Sequence, residues 1–243
     1  MRRVVLWPDT HVPYHDKKAF RLALKVTKKL NPTHLVILGD FADFYAVSAH
    51  DRNPLRRADL MWEVQSVNAA LNDIQKLKIP RVIFCEGNHE WRLERYLMRK
   101  APELFGMVRC KDLFHIQERG WKWVKYKSHY KIGKLYVTHD LDKAGKYAAA
   151  QTLDKFQGNI AFGHTHRASI HYSGNVRGES HVSATCGHLL DTSDIDYAHQ
   201  RNLHEWQQGM GYATIEENGN VHFQFLPFLK GKCAVPTQIE MVR

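Results

Sequence analysis

Five short apolar runs in this chain end alike, each opening directly into polar residues. RVVLW (3–7) leads to Asp9-Thr10-His11, HLVIL (34–38) to Gly39-Asp40, and RVIFC (81–85) to Gly87-Asn88-His89-Glu90. Farther on, LYVT leads to His139 and NIAF to Gly163-His164-Thr165-His166. Runs this short suit buried strands better than buried helices. Between the first three lie stretches of helical spacing. Ala19, Phe20, Ala23, Val26 and Leu30 share one face within 16–30, and Asn31-Pro32 stops the helix. Leu60, Val64, Val67, Leu71 and Ile74 share another within about 58–77. The first ninety residues therefore read β-α-β-α-β, parallel strands joined by helical crossovers. Open sheets of that kind place ligands at the carboxyl ends of their strands, where the loops converge.

The second half changes character. WKWVKY, LYVTH, NIAF, ASIHYS and HVSAT are strand-like, with one helical stretch near 145–156. GYATIE and VHFQFL flank Glu217-Asn218-Gly219-Asn220, a hairpin signal. No repeat and no Pro/Gly/Ser linker divides the chain, so a single α/β domain over 1–243 is expected, with a β-rich second half. The proportions, 44% hydrophobic and 25% charged, are those of a soluble globular protein. Its apolar runs are far short of a membrane span, and Pro8 and Asp9 interrupt any secretory signal at the start. Four separated cysteines without a C-x-x-C pair suit a reducing, cytoplasmic setting. The net charge of +10 favours polyanionic partners, chiefly nucleic acid.

Five converging loops would assemble Asp9, His11, Asp40, Asn88, His89, His139, His164 and His166. Two carboxylates, an amide and five imidazoles are too rich in nitrogen for a calcium site and lack the thiolates of structural zinc. They suit manganese, iron, zinc or nickel. Roughly seven ligands over-supply one ion, whereas two ions about 3.5–4 Å apart, bridged by a carboxylate, use the set economically. Asp-x-His or Gly-Asp alone is an ordinary turn, and the signal lies in the ordered set. The glycines before Asp40, Asn88 and His164 are expected to make sharp turns that aim the next side chain.

The order D-x-H, GD, GNHE, H, GHTH over residues 9–166 resembles the calcineurin-like metallophosphoesterases. That resemblance implies an α/β fold of two packed mixed β-sheets flanked by helices, a four-layer sandwich. It implies that Asp9, His11, Asp40 and His166 hold one divalent ion and Asp40, Asn88, His139 and His164 a second, with Asp40 bridging. Manganese is the expected metal, with iron, zinc or nickel as alternatives. His89 becomes the catalytic imidazole, paired with an acidic residue, and it acts with Asp40. His139 is preferred to His129 of KSHYK because it ends an apolar run. Asp43 in GDFAD matches a family position with either a supporting or a catalytic role. The expected reaction is attack of a metal-bridging hydroxide on a phosphoester, with His89 as leaving-group acid.

Substrate choice is less constrained. The loop FADFYAVSAHDRNPLRR (41–57) follows Asp40 and should line the cleft, offering Arg52, Arg56 and Arg57 to phosphate. WRLERYLMRK (91–100) offers Arg92; its start reads as a helix packing Trp91 and Leu93, with Arg92 and Arg95 outward. Glu90 is expected to brace the loop or cap that helix. RGWKWVKYKSHYKIGK (119–134) interleaves aromatics and lysines as single-strand nucleic-acid surfaces do, but a lysine-guarded edge strand is the more ordinary reading. His188 is a further cleft-lining candidate, while His181, His199 and His204 read as structural or surface residues.

Three functions follow. The first is a phosphodiesterase or nuclease acting on nucleic acid or nucleotide phosphodiesters. The second is a phosphomonoesterase for nucleotides or other small phosphate esters. The third is a non-catalytic nucleic-acid-binding scaffold. NLHEWQQGMGYATI resembles compact bacterial and phage-encoded members, implying a stand-alone catalytic domain, with a homodimer open to it.

Overall fold

The computed structural model describes residues 1–194 and 203–236. Strands β1 (Arg2–Trp7), β2 (His34–Ile37) and β3 (Arg81–Cys85) are parallel, with α1 (Lys17–Leu30) and α2 (Leu60–Gln75) as crossovers. Each crossover helix starts at an aspartate. The Asp16 side chain accepts from the Lys18 and Ala19 amides, and that of Asp59 from the Trp62 amide, which satisfies first-turn donors. Asn31 closes α1 in the left-handed conformation. The face of α1 predicted to be apolar is the buried one. On α2, Val67, Leu71 and Ile74 are buried as expected, but so is Glu63.

After β3 come α3 (Trp91–Lys100), α4 (Cys110–Leu113) and β4 (Lys122–Val124), the last parallel to β3. Then β5 (Tyr130–Ile132) and β6 (Leu135–Thr138) pair antiparallel, and α5 (Ala148–Phe156) crosses to β7 (Asn159–Phe162), parallel to β6. Strands β8 (Ala168–Gly174) and β9 (Ser180–Cys186) follow, then the hairpin β10 (Gly209–Ile215) and β11 (Val221–Pro227). One mixed sheet runs β11-β10-β1-β2-β3-β4 and the other β5-β6-β7-β9-β8.

The sheets pack face to face. Val4, Leu6, Val36, Leu38 and Ile83 of the first form one core with Leu135, Val137, Ala161, Val182 and Ala184 of the second. The strand period of two sends Val5 and Trp7 to the opposite face, into a second core with Phe20, Val26 and Val67 from the helices. Burying each such aliphatic side chain stabilises the fold by about 1.5–3 kcal/mol. Helix α5 buries Ala148, Ala149 and Leu153 against the outer face of the second sheet. The architecture is thus helices, sheet, sheet, helix, the four-layer sandwich expected. The lysine-aromatic stretch divides between β4 and β5, which are edge strands of the two sheets, as the ordinary reading had it. Among the described residues no helix is long and apolar enough to cross a membrane.

Candidate active site

The polar clusters at the ends of β1, β2, β3, β6 and β7 meet at one place. Asp9, His11 and His166 present donor atoms within 4.8 Å of one another, and so do Asp40, His139 and His164. His11, Asp40 and His89 make a third such group. In the first, His11 Nε2 lies 3.2 Å from His166 Nε2, and His166 Nε2 lies 3.0 Å from Asp9 Oδ2. In the second, His139 Nε2 is 3.3 Å from Asp40 Oδ1, and Asn88 Oδ1 is 2.9 Å from both His139 Nε2 and His164 Nδ1.

Hydrogen bonds behind the donors set their orientation. His139 Nδ1 donates to the Leu38 carbonyl (2.8 Å), and His11 Nδ1 donates to Asp43 Oδ2 (3.0 Å). Each bond leaves Nε2 facing the cluster, the usual outer support of a metal-binding imidazole. Backbone amides also hold the carboxylates: Asp9 Oδ1 accepts from His164, and Asp40 Oδ1, the oxygen that faces His139, accepts from His89. Four donors sit in the left-handed region, His11 (φ 55), Asp40 (φ 46), His164 (φ 68) and His166 (φ 56). Such backbone is sparsely populated outside glycine and concentrates at functional sites.

The donors fit divalent cations. Asp9 Oδ2 is buried without an aligned hydrogen bond, and the imidazole nitrogens of His11 and His166 converge beside it. Buried, converging lone pairs need a shared positive charge. A cation shared among the donors would supply it, as would a proton on one of the imidazoles. Burial opposes every charge here, yet His139 holds Asp40 well below the ordinary carboxylate range, and Asp40 raises His139 to about 10. Likewise burial favours neutral Asp9, but His166 keeps it low.

His89 is buried beside this centre, its ring edge-on to His11 with centroids 4.4 Å apart. Nδ1 donates to the Asp43 carbonyl at 2.9 Å, with the Asp43 carboxylate at 3.6 Å, so its acidic neighbour bonds it mainly through the main chain. Nε2 accepts from Arg92 Nη2 at 2.8 Å. Arg92, expected to point outward, instead turns back over its own helix start and also reaches the Asp43 carbonyl at 3.1 Å. Burial, with Arg92 adding to it against the pull of Asp40, lowers His89 to about 4.

Glu90 braces the loops and does not cap α3. Its carboxylate accepts from the amides of Asp40 (2.9 Å), Ala42 (2.7 Å) and Gly87 (2.8 Å), tying the β2 loop to the β3 loop. The glycines act in two ways. Gly39 has φ +93 and makes the sharp turn expected before Asp40. Gly87 and Gly163 are needed for close approach. A Cβ on Gly87 would strike the Asp40 amide and Oδ1, and one on Gly163 would stand 2.5 Å from Asp9 Oδ1.

His129 lies away from the donors, against Tyr136 and Phe156. Arg52 donates to the Ala46 carbonyl, Arg56 lies over the rings of Tyr14 and Tyr45, and Arg57 lies over Trp62 and pairs with Asp59. His188 is 3% exposed and packs against His166 and Trp206 behind the first donor group; burial lowers it to about 3. His181 and His204 lie outside the donor groups, and His199 lies outside the described residues. Two supports escaped sequence reasoning. Trp206 sets its ring edge-on to His166 at 4.2 Å, and Glu63 accepts from the Tyr45 and Ala46 amides to hold the loop after Asp43. An acid on the apolar face of α2 was the available signal for Glu63, whereas Trp206 was marked only by the resemblance of NLHEWQQGMGYATI.

Paired Asp/His donor groups at the strand ends of a four-layer α/β sandwich could hold divalent metal ions. A family model described as calcineurin-like phosphoesterase matches residues 2–200, and the chain belongs to that family. The Gene 54 protein of Mycobacterium phage D29 is 23% identical over 251 residues, covering 96% of each chain. The Gene 54 protein of Mycobacterium phage L5 is 22% identical over 254 residues, covering 98% of each. Among solved structures, Yfce, a phosphoesterase from E. coli, is 14% identical with a TM-score of 0.42, over 90% of this chain and 96% of that one. Chaetomium thermophilum Vps29 is 10% identical with a TM-score of 0.43, over 92% and 93%.

Proposed function

We propose that the chain is a dinuclear-metal phosphodiesterase or nuclease that acts, as one catalytic domain over 1–243, on phosphodiesters of nucleic acid or nucleotides. The observation that carries hydrolysis is the pair of donor groups, Asp9/His11/His166 and Asp40/His139/His164. Asp9, His11, Asp40 and His166 would hold one ion, and Asp40, Asn88, His139 and His164 the other, with Asp40 shared. Two such ions, manganese first among them, supply Lewis-acid polarisation of the phosphoryl group and a nucleophile at neutral pH. The intact donor set argues against a scaffold without catalysis.

His89 is the leaving-group acid in this reading. Arg92 occupies its Nε2 lone pair, so protonation requires the guanidinium to let go, and a substrate phosphate offers it a stronger, charge-assisted partner. Arg52, Arg56, Arg57 and His188 remain substrate candidates, each oriented by a partner within the protein. The diester preference draws on the +10 charge. Three buried free thiols, Cys85, Cys110 and Cys186, accord with a reducing, cytoplasmic setting.

The test compares bis- and mono-(p-nitrophenyl) phosphate with the manganese-loaded protein, followed by labelled single- and double-stranded DNA and RNA. Turnover of the diester and of a strand is expected. Turnover of the monoester alone, without strand binding at low salt, would replace this reading with a phosphomonoesterase.

A further inference from the structure

Helix α3 leaves the catalytic loop at Trp91, and its spacing aligns Arg92, Arg95, Tyr96, Arg99 and Lys100 along neighbouring positions of one side. Opposite lies the segment that follows Asp40 and Asp43, which contributes Ser48, His50 and Arg52. Together they enclose a cavity of about 250 Å³. Five of its ten lining residues are arginine or lysine, and none is acidic. A helix C-terminus favours basic residues, which accounts for Arg99 and Lys100 in the last turn of α3. It does not account for Arg92 and Arg95 in the first half, or for Arg52 from a separate segment. So many like charges around one concavity repel each other unless an anion fills it.

The cavity communicates with the catalytic centre through one side chain. Arg92 lines it and also donates to His89 Nε2 at 2.8 Å. His89 is assigned above to the leaving group, so the cavity begins where the leaving group departs. Arg52 is held in place by the Ala46 carbonyl at 2.7 Å, and Arg95 lies over the Trp91 ring at 5.4 Å, which restricts both guanidinium groups before any ligand arrives.

We propose that this cavity binds a second phosphate, carried by the leaving portion of the substrate. The preferred substrate is then a phosphodiester whose departing half itself bears a phosphate, as in a nucleic-acid strand. The proposal rests on the phosphodiesterase reading and names the part of the substrate that selects it.

The test uses the manganese-loaded full chain and the double variant Arg95→Gln/Arg99→Gln. Substrates are bis-(p-nitrophenyl) phosphate, the dinucleotide TpT, TpT with an added 5′- or 3′-phosphate, and a ten-nucleotide thymidylate. In the unaltered chain one phosphorylated dinucleotide should exceed TpT in kcat/KM by about tenfold, the scale of a charge-assisted phosphate contact. The double variant should lose that advantage while its turnover of bis-(p-nitrophenyl) phosphate stays within about twofold. A further rise on the ten-nucleotide strand assigns the phosphate to a polymer, and no further rise assigns it to a short phosphorylated dinucleotide. A second readout needs no turnover: with chelator at low salt, fluorescence anisotropy of labelled thymidylate should show about tenfold weaker binding by the double variant. An equal phosphate advantage in both proteins, or its absence in the unaltered chain while bis-(p-nitrophenyl) phosphate is cleaved, overturns the subsite alone. No cleavage of bis-(p-nitrophenyl) phosphate overturns the phosphodiesterase reading and the subsite with it.

Discussion

Replacing Glu90 tests whether a single buried side chain holds the β2 and β3 loops in register. Its carboxylate is fully buried and accepts three amides: Oε2 from Asp40 and Gly87, Oε1 from Ala42. Glu90→Ala leaves those three buried donors without an acceptor. At about 1–3 kcal/mol for each orphaned donor, the loss is at least about 3 kcal/mol, before any cavity cost. That is a large share of the roughly 5–15 kcal/mol that stabilises an ordinary domain. Glu90→Gln is the graded control. Its amide oxygen can keep the Asp40 and Gly87 bonds, but its NH2 faces the Ala42 amide, one donor against another. One orphan predicts a loss of about 1–3 kcal/mol. Urea unfolding followed by tryptophan fluorescence, with chelator present, reads both losses. The chelator matters because a bound ion would add stability by mass action and mask the effect. Stability should fall in the order wild type, Glu90→Gln, Glu90→Ala. An alanine variant within about 1 kcal/mol of wild type would mean that water replaces the carboxylate, and the bracing argument would be wrong.

Four further outcomes are expected. Gly87→Ala should lower bound manganese and destabilise the fold together, because its Cβ strikes the Asp40 amide and carboxylate; normal metal content by elemental analysis would refute this. His89→Ala should keep its metal but lose about 10²–10⁴-fold in kcat, the scale of one acid–base group, so near-normal turnover would remove His89 from the chemistry. Manganese should bind more tightly as pH rises: Asp40 overcomes burial to raise His139 to about 10, and the ion must displace that proton. Affinity should gain about tenfold per pH unit for each proton released, and calorimetry in buffers of different ionisation heat should detect the release. Away from the donor groups, burial lowers His15 and His34 to about 4. Below their ordinary value of 6.5 the unfolded chain binds more protons, so their stabilising contribution is present above pH 6.5 and is lost as pH falls towards 4. A double His15→Gln/His34→Gln variant should show a shallower acid loss in unfolding midpoint than wild type.

The layers and donor positions could be read from sequence because they depend on local properties. A run such as HLVIL buries both faces, so it must lie between a helix layer and a second sheet, and its polar neighbour must emerge at the end. Aspartates at 16 and 59 mark helix starts because they can accept first-turn amides whatever the tertiary fold. Arg92 departs from its expected outward course for the complementary reason. Helical spacing sets it apart from buried Leu93, but its stem is long enough for the guanidinium to return to His89, and only the tertiary position of Asp43 shows why it does. The lysines of 119–134 likewise say only that a strand is guarded, and the sheet order makes it an edge.

Backbone conformation at the site lies between these cases. Dihedral angles are invisible in a sequence, yet Asp40, His11, His164 and His166 all adopt positive φ, at a cost of about 1–3 kcal/mol for each ordinary residue so placed. Aspartate and histidine tolerate that region better than most side chains, so the residue types that can ligate a cation are also those that can turn sharply off a strand. GD and GHTH therefore carry two kinds of information at once, donor chemistry and permitted backbone. The glycine of GNHE carries a third, the space in which Asp40 approaches the β3 loop. Random polar substitution at these ends would satisfy one requirement and fail another. This is why the ordered set was informative although each piece alone was an ordinary turn.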